Sequence, residues 1–490
     1  MRLPARPTIY EINTAVWLSE LSRQLGLRVD LSGVPAGEWD RLGALRVDAV
    51  WLMGVWQRSP AGLQIALRDT ELVSTFHSVL ADLREDDVIG SAYCISGYEL
   101  EPRFGPPEAL AAARAALSAR GLGLILDYVP NHVAPDHPWT REHADYFLLG
   151  TEAELEARPQ AFLRTPAGVL ANGKDPYFAP WHDVVQLNAF SPSLRRAAID
   201  TLIAIGDRCD GVRCDMAMLL TNEVFARTWG QRAGNPPAED YWPAVTAAVR
   251  AAHPDFVFIA EAYWDMEWTL QQQGFDYCYD KRLYDRLVSE SAQSVRGHLQ
   301  AAEDYQERLL RFIENHDEPR AADTFAPDRE RAAAVVMSTL EGARMYHDGQ
   351  LQGFHTRIPV QLVRGPEQPV DEDMRAFYGR LLSAVADSDL RRGEWQLCEC
   401  TGWPEDQTAE QLVAWCWRAN GQRHLVVVNL DSGDAQARVR LPWNDLAGRS
   451  WRLTDALGGA IFERDGGELQ DQGLYVGMAP WQSYFLALAE

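Results

Sequence analysis

Arg213 and Asp215 stand two residues apart in the run DGVRCD, at the end of a short apolar stretch. Residues i and i+2 of a strand share a face, so a guanidinium and a carboxylate would emerge side by side from its tip. The cation would keep the carboxylate ionised and orient one of its oxygens, which an aspartate needs if it is to attack carbon at neutral pH. A structural ion pair at a strand end has the same spacing, so this run by itself assigns no chemistry.

Three further runs end in the same way. LILDYVPNH carries Asp127, Asn131 and His132; VFIAEAYW carries Glu261 and Trp264; RLLRFIENHD carries Asn315, His316 and Asp317. Each begins as a buried strand and finishes in carboxylates, imidazoles or an indole, as expected where parallel strands deliver catalytic groups to one face of a barrel. Retaining cleavage of a glycosidic bond needs a carboxylate nucleophile and a separate neutral carboxylic acid about 5 Å apart. Asp215 beside Arg213 suits the first role. Glu261, between apolar segments, suits the second, because burial would raise its pKa. His132 and His316, among these groups, read as donors to substrate hydroxyls.

The ordered runs DYVPNH, GVRCD, EAYW and ENHD resemble the motifs of the α-amylase superfamily, the retaining glycoside hydrolases of family 13. DVVQLN resembles a further motif of that family, and AVWLMGVW and ARMYHDGQLQG resemble its second and eighth strand regions. The resemblance implies that Asp215 is the nucleophile, Glu261 the general acid/base, and Asp317 the carboxylate that grips two sugar hydroxyls. It implies substrate-binding roles for Arg213, His132, His316, Asp127 and Trp264, and a stacking platform at Tyr98 or Tyr93. No cofactor is required on this reading. Asn131 matches a calcium ligand of the family, which admits a structural calcium. NHVAPDHPW and ENHDEPR resemble the oligo-glucosidase and trehalose-synthase side of the superfamily, where His137 and Arg320 would lie near a short-substrate pocket. The nucleophile is followed by Met216, Ala217, Met218 and Leu219, where many starch-degrading relatives carry a Lys-His pair.

The implied function is a retaining hydrolase or transglycosylase of short gluco-oligosaccharides working through a covalent glycosyl-aspartate. An endo-acting amylase, a phosphorylase or isomerase of the same family, a non-catalytic homologue, and a metal-dependent hydrolase using Asp127, His132, His316 and Asp317 are the alternatives.

Positioning these groups requires alternating strands and helices. Strands are expected at 8–13, 49–54, 122–129, 211–215, 256–261, 275–279, 309–315 and 343–347, with helices over 107–120 and 194–205, the latter capped by Ser191-Pro192. This predicts an α/β fold, a (β/α)8 TIM barrel formed by 1–132 and 187–388. The Pro-, Gly- and aromatic-rich segment 133–186 is too long for an ordinary connection and is expected to be a small inserted B domain over the active face. Short alternating strands with an Asn420-Gly421 hairpin signal make 389–490 an antiparallel β-sandwich.

A chain of 490 residues, 47 % hydrophobic, can bury a large core without staples. Its net charge of −24 provides no basic stripe for nucleic acid and suits a neutral oligosaccharide. The amino terminus lacks a signal-type apolar run, no span of eighteen apolar residues occurs, and seven scattered cysteines do not form a disulfide framework. A cytoplasmic protein, not membrane-bound, is expected.

Overall fold

The computed structural model describes residues 2–388 and 390–490, so the expected boundary at 389 lies outside the described residues. Thr8–Asn13, Ala49–Met53, Gly123–Tyr128, Gly211–Cys214, Val257–Ala260, Tyr277–Tyr279, Leu309–Arg311 and Ala343–His347 form, in chain order, a closed eight-stranded barrel. All eight expected strands are present. Their ladders stop short of the chemistry: the run expected to reach Asp215 ends at Cys214, that of Glu261 at Ala260, and that of Asn315 at Arg311. The reason lies in their composition. Residues covered on both faces, such as Val50 to Met53 and Leu124 to Leu126, are apolar and pair in parallel, and the polar residues cluster towards the ends of the runs.

Register sets what the strand tips present. Cys214 pairs with Tyr128 on one side and with Ala260 on the other. The next residues continue the pattern, as Asp215 N–H donates to the Tyr128 carbonyl at 2.9 Å and Glu261 N–H to the Cys214 carbonyl at 3.1 Å. Asp215 and Glu261 are therefore register neighbours. The helix Pro192–Gly206 lies between the third and fourth strands in sequence, and its Ser191 cap accepts from Leu194 N–H, as the Ser-Pro pair predicts.

The chain divides into two compact units. One holds Ile9–Tyr279 and Thr356–Glu367; the other holds Pro4–Thr8, Asp280–His355 and Gln368–Glu490. In the first, the segment after His132 builds its own small core from Val133, Tyr146, Phe147, Leu170, Val185 and Leu187, with a hairpin of Phe162–Thr165 and Gly168–Ala171 beside it. Return of the chain at Val185–Gln186, paired with His132–Val133, closes this insertion.

In the second unit the C-terminal strands form a six-stranded and a three-stranded antiparallel sheet. Leu412, Ala414, Leu425 and Val427 of one sheet share a core with Ala437, Val439, Leu474 and Val476 of the other, which is a sandwich. Asn420 and Gly421, both with positive φ, make the expected tight turn between Leu412–Ala419 and Gln422–Asn429. Trp415 and Trp417 donate their indole N–H groups to the single carbonyl of Thr339 at 3.0 and 2.7 Å, so two large buried rings leave no donor unsatisfied.

Candidate active site

Arg213 is the centre of the arrangement. Its side chain is 1 % exposed. Nη1 lies 3.0 Å from Asp215 Oδ1, Nη2 pairs with Glu261 Oε2 at 2.8 Å, and Nε donates to the Tyr279 hydroxyl at 3.2 Å. The rings of Trp51, Tyr93 and Tyr279 surround the guanidinium at 5.3 to 5.6 Å. Burial alone would lower the Arg213 pKa, but Glu261, Tyr279, Tyr93 and Asp215 together hold it well above its ordinary value. Taking an ion out of water costs several kcal/mol, so a buried guanidinium persists because two carboxylates match it.

Glu261 departs from the sequence expectation of an apolar setting. It is buried, yet its carboxyl group faces three donors: Arg213, Met216 N–H at 2.5 Å from Oε2, and the Tyr263 hydroxyl at 3.0 Å from Oε1. The apolar residues around Glu261 in sequence line the strand, whereas its neighbours in space come from the next strand tip. Met216 reaches it because its φ of 44° turns the backbone left-handed immediately after Asp215. A non-glycine residue in that region costs on the order of 1–3 kcal/mol, and such strain collects at functional sites.

Asp127 is the register partner of Arg213, and its carboxylate accepts from Gly54 N–H at 2.7 Å and from the Tyr93 hydroxyl at 3.4 Å. This places Tyr93 in the cluster. Tyr98 lies elsewhere: its hydroxyl accepts from Val129 N–H at 3.0 Å and donates to the Val129 carbonyl at 3.1 Å, and its ring stacks on Tyr128. Of the two tyrosines expected as a platform, Tyr93 lies beside Asp127 and Arg213, whereas the Tyr98 hydroxyl is engaged by both polar groups of Val129.

His132 is buried edge-on against Trp181, and burial lowers its pKa so that the ring is held neutral, partly opposed by the nearby Asp183 charge. His137 packs on Trp139 at 4.7 Å and accepts from Trp139 N–H, and burial brings it down to about 4. Trp139 belongs to the core of the insertion and Trp181 to a cluster with Cys94, Ala134 and Val184, so both are packing residues. Trp264 instead meets the exposed Tyr177 edge-to-face at 4.8 Å, and Trp264 and Asp265 both have φ of 61°.

Asn131 does not fit a calcium ion. It is fully buried, and its carboxamide oxygen accepts from Gln186 Nε2 at 2.9 Å while its nitrogen faces Gln186 Oε1 and His132. A hard cation would need this oxygen and several more, whereas the groups beside it are an amide and an imidazole.

In the second unit, His316 Nε2 lies 3.0 Å from Asp317 Oδ2, with the histidine buried and the aspartate side chain 45 % exposed. Asn315 Oδ1 shapes this turn by accepting from the N–H groups of Asp317 and Glu318. Arg320 is directed inward: Nη1 contacts Glu314 Oε1 at 2.6 Å, His347 Nδ1 at 2.9 Å and the Asp348 carbonyl at 2.8 Å. Burial would raise the Glu314 pKa, but the Arg320 charge and His347 hold it below its ordinary value. Arg320, expected near a substrate pocket, thus places Nη1 against a fully buried glutamate. Sequence reasoning missed Glu314, Tyr263, Tyr279 and Trp51. Tyr263 carried a signal, being two residues beyond Glu261 as Asp215 is beyond Arg213.

Residues 29–419 match the family model described as alpha amylase, catalytic domain. Alpha-amylase MalA of Haloarcula japonica is 24 % identical over 82 % of this chain and 52 % of its own length. An alpha-1,4-glucan:maltose-1-phosphate maltosyltransferase of Burkholderia pseudomallei is 28 % identical over 39 % of this chain and 15 % of its own. The chain thus spans about half the length of the first of these relatives and a smaller part of the second. The solved maltogenic alpha-amylase AmyB of Thermotoga neapolitana has the same fold, with a TM-score of 0.69 at 17 % identity and 99 % of both chains covered.

Proposed function

Because the chain belongs to the alpha-amylase family, we propose that it is a retaining glycosidase or glucosyltransferase acting on α-glucosidic bonds of short gluco-oligosaccharides. The observation that carries this reading is the single guanidinium of Arg213 paired with both Asp215 and Glu261. One nitrogen keeps an Asp215 oxygen oriented, and the other oxygen attacks the anomeric carbon. Glu261 Oε1 gives its proton to the departing glycosidic oxygen as that bond breaks, leaving a glycosyl ester on Asp215. Arg213 and Met216 N–H occupy Oε2, which leaves Oε1, beside Tyr263, as the proton-bearing oxygen. In the second half, Glu261 takes the proton of a water or sugar hydroxyl whose oxygen attacks the anomeric carbon and frees Asp215. Asp317, next to His316, is assigned to sugar hydroxyls.

Preference for short substrates rests on the turn after the nucleophile. Ala217, Met218, Leu219 and Leu220 are all buried, so this segment offers sugar hydroxyls no polar side chain. Tyr177 and Trp264 supply instead an aromatic corner suited to the C–H face of a sugar. A reducing compartment such as the cytoplasm fits seven cysteines that are all free. Among the described residues, no helix is long and apolar enough to cross a membrane.

Proton NMR of the first product from maltotriose, with product sizes followed at early times on soluble starch, tests the proposal. An α-anomer released first, with maltotriose turned over faster per chain end than starch, is the expected result. A β-anomer would overturn the mechanism. A broad ladder of internal starch fragments would favour an endo-acting amylase.

A further inference from the structure

Three carboxylates away from the strand tips lie close together without a matching set of cations. Glu303 and Glu307 are four residues apart at the helix Glu303–Gln306 and its cap, which puts them on one side of that turn. Glu341 stands before the strand Ala343–His347, at the barrel end opposite to that where Asp317 follows Leu309–Arg311. One carboxylate oxygen from each of the three lies within 4.8 Å of the others. Glu303 is exposed, Glu307 half-buried, and Glu341 only 2 % exposed.

Glu341 is the least solvated of the three. Its Oε1 is buried and has no hydrogen-bond partner among the described residues. The neighbouring Arg311 turns its head group to other acceptors: Nη1 to Asp280 at 2.6 Å and Nε to the backbone carbonyl of Glu341 at 2.7 Å. Arg6 pairs with Glu307, and its other nitrogen donates to the carbonyls of Leu390 and Gly393. Burial pushes the Glu341 carboxyl up to about 7. A buried carboxylate with one unpartnered oxygen, grouped with two further carboxylates, is a costly arrangement unless a cation or a shared proton sits among them.

We infer that Glu303, Glu307 and Glu341 form a binding site for a divalent, oxygen-seeking cation, calcium in preference to magnesium. Three carboxylates from a short helix and a turn, open to solvent on the Glu303 side, suit the flexible oxygen shell of calcium better than the near-ideal octahedron that magnesium demands. Water completes its shell on the open Glu303 side. The ion would tie the helix Glu303–Gln306 to the turn before Ala343–His347, so its effect is on stability and it takes no part in bond cleavage.

The full chain, stripped with chelator and dialysed, is titrated with calcium and with magnesium while heat of binding and Tm are followed. Calcium binding and a rise in Tm are expected in the unaltered protein, with at least a tenfold loss of affinity in both Glu341→Gln and Glu303→Gln. Glu303→Gln alters an exposed group and decides the matter if the buried variant fails to fold. No calcium response in the unaltered protein would show that a shared proton holds the cluster and would overturn the inference. A response undiminished in Glu303→Gln would place the ion elsewhere and overturn it equally, and magnesium acting as strongly as calcium would overturn the preference for calcium.

Discussion

Arg213 and Glu261 are joined by an ion pair of 2.8 Å although 48 residues separate them in sequence, and the same guanidinium holds Asp215 at 3.0 Å. The relationship follows from register: Arg213 pairs with Ile259 across two parallel strands, and the residue two further on in each strand faces the same way. Two carboxylates are thereby positioned by one cation that no substrate has to supply.

Asp215→Asn and Glu261→Gln remove the proposed nucleophile and the proposed proton donor while keeping side-chain volume. Each is expected to lower kcat on natural α-glucosides by at least about 10²–10⁴, the usual worth of acid–base assistance. Steady-state kinetics with a Tm for each variant checks this. Near-normal turnover in either would remove that residue from its role.

Arg213→Met should damage stability as well as activity. Two buried carboxylates lose their counter-charge, and breaking such a pairing costs roughly 3–5 kcal/mol. Urea unfolding against the unaltered protein measures the difference, and a loss below about 1 kcal/mol would show that the guanidinium is not their main partner.

Tyr93 and Tyr98 should separate cleanly. Tyr93→Ala removes a ring 5.3 Å from the Arg213 guanidinium and a hydroxyl 3.4 Å from Asp127, and should lower kcat/KM about tenfold or more. Tyr98→Phe leaves Val129 N–H unsatisfied and should cost roughly 1–3 kcal/mol of stability with kcat/KM unchanged. Kinetics and unfolding curves of both variants decide whether the platform lies at 93 or 98.

Glu330 predicts a pH dependence of stability. It is 1 % exposed, accepts from the Tyr378 hydroxyl at 2.9 Å, and burial pushes it from 4.5 to about 7. The folded chain therefore binds a proton between those values that the unfolded chain has released, so this contribution falls as pH rises from about 4.5 to 7. The full change corresponds to roughly 3 kcal/mol, an order-of-magnitude figure. Comparing the unfolding free energy of the unaltered protein with that of Glu330→Gln across this range should show the gap shifting in favour of the variant as pH rises. A constant gap would sink the assignment.

The eight strands were legible because burial on both faces demands nearly continuous apolar runs, and those runs stand out between helical patterns. Asp215, Glu261 and Asp317 were legible as candidates because each ends such a run, and their ordered motifs matched a family. The insertion after His132 and the turn at Asn420-Gly421 were also visible, through proline, glycine and aromatic composition.

What the sequence by itself determined, then, was which groups leave strand tips. Only the tertiary structure decided whom they meet. Glu261 looked apolar because its chain neighbours are, but register brings Arg213 and Met216 N–H to its carboxyl group. Arg320 looked available beside a motif, but Glu314 and His347 draw it inward, and Tyr98 looked like the platform until its hydroxyl closed on Val129. Hydrophobic pattern acts over a few residues and can be read along the chain. Hydrogen bonds and ion pairs depend on distances of about 3 Å between residues far apart in sequence, and those exist only once register and packing are set.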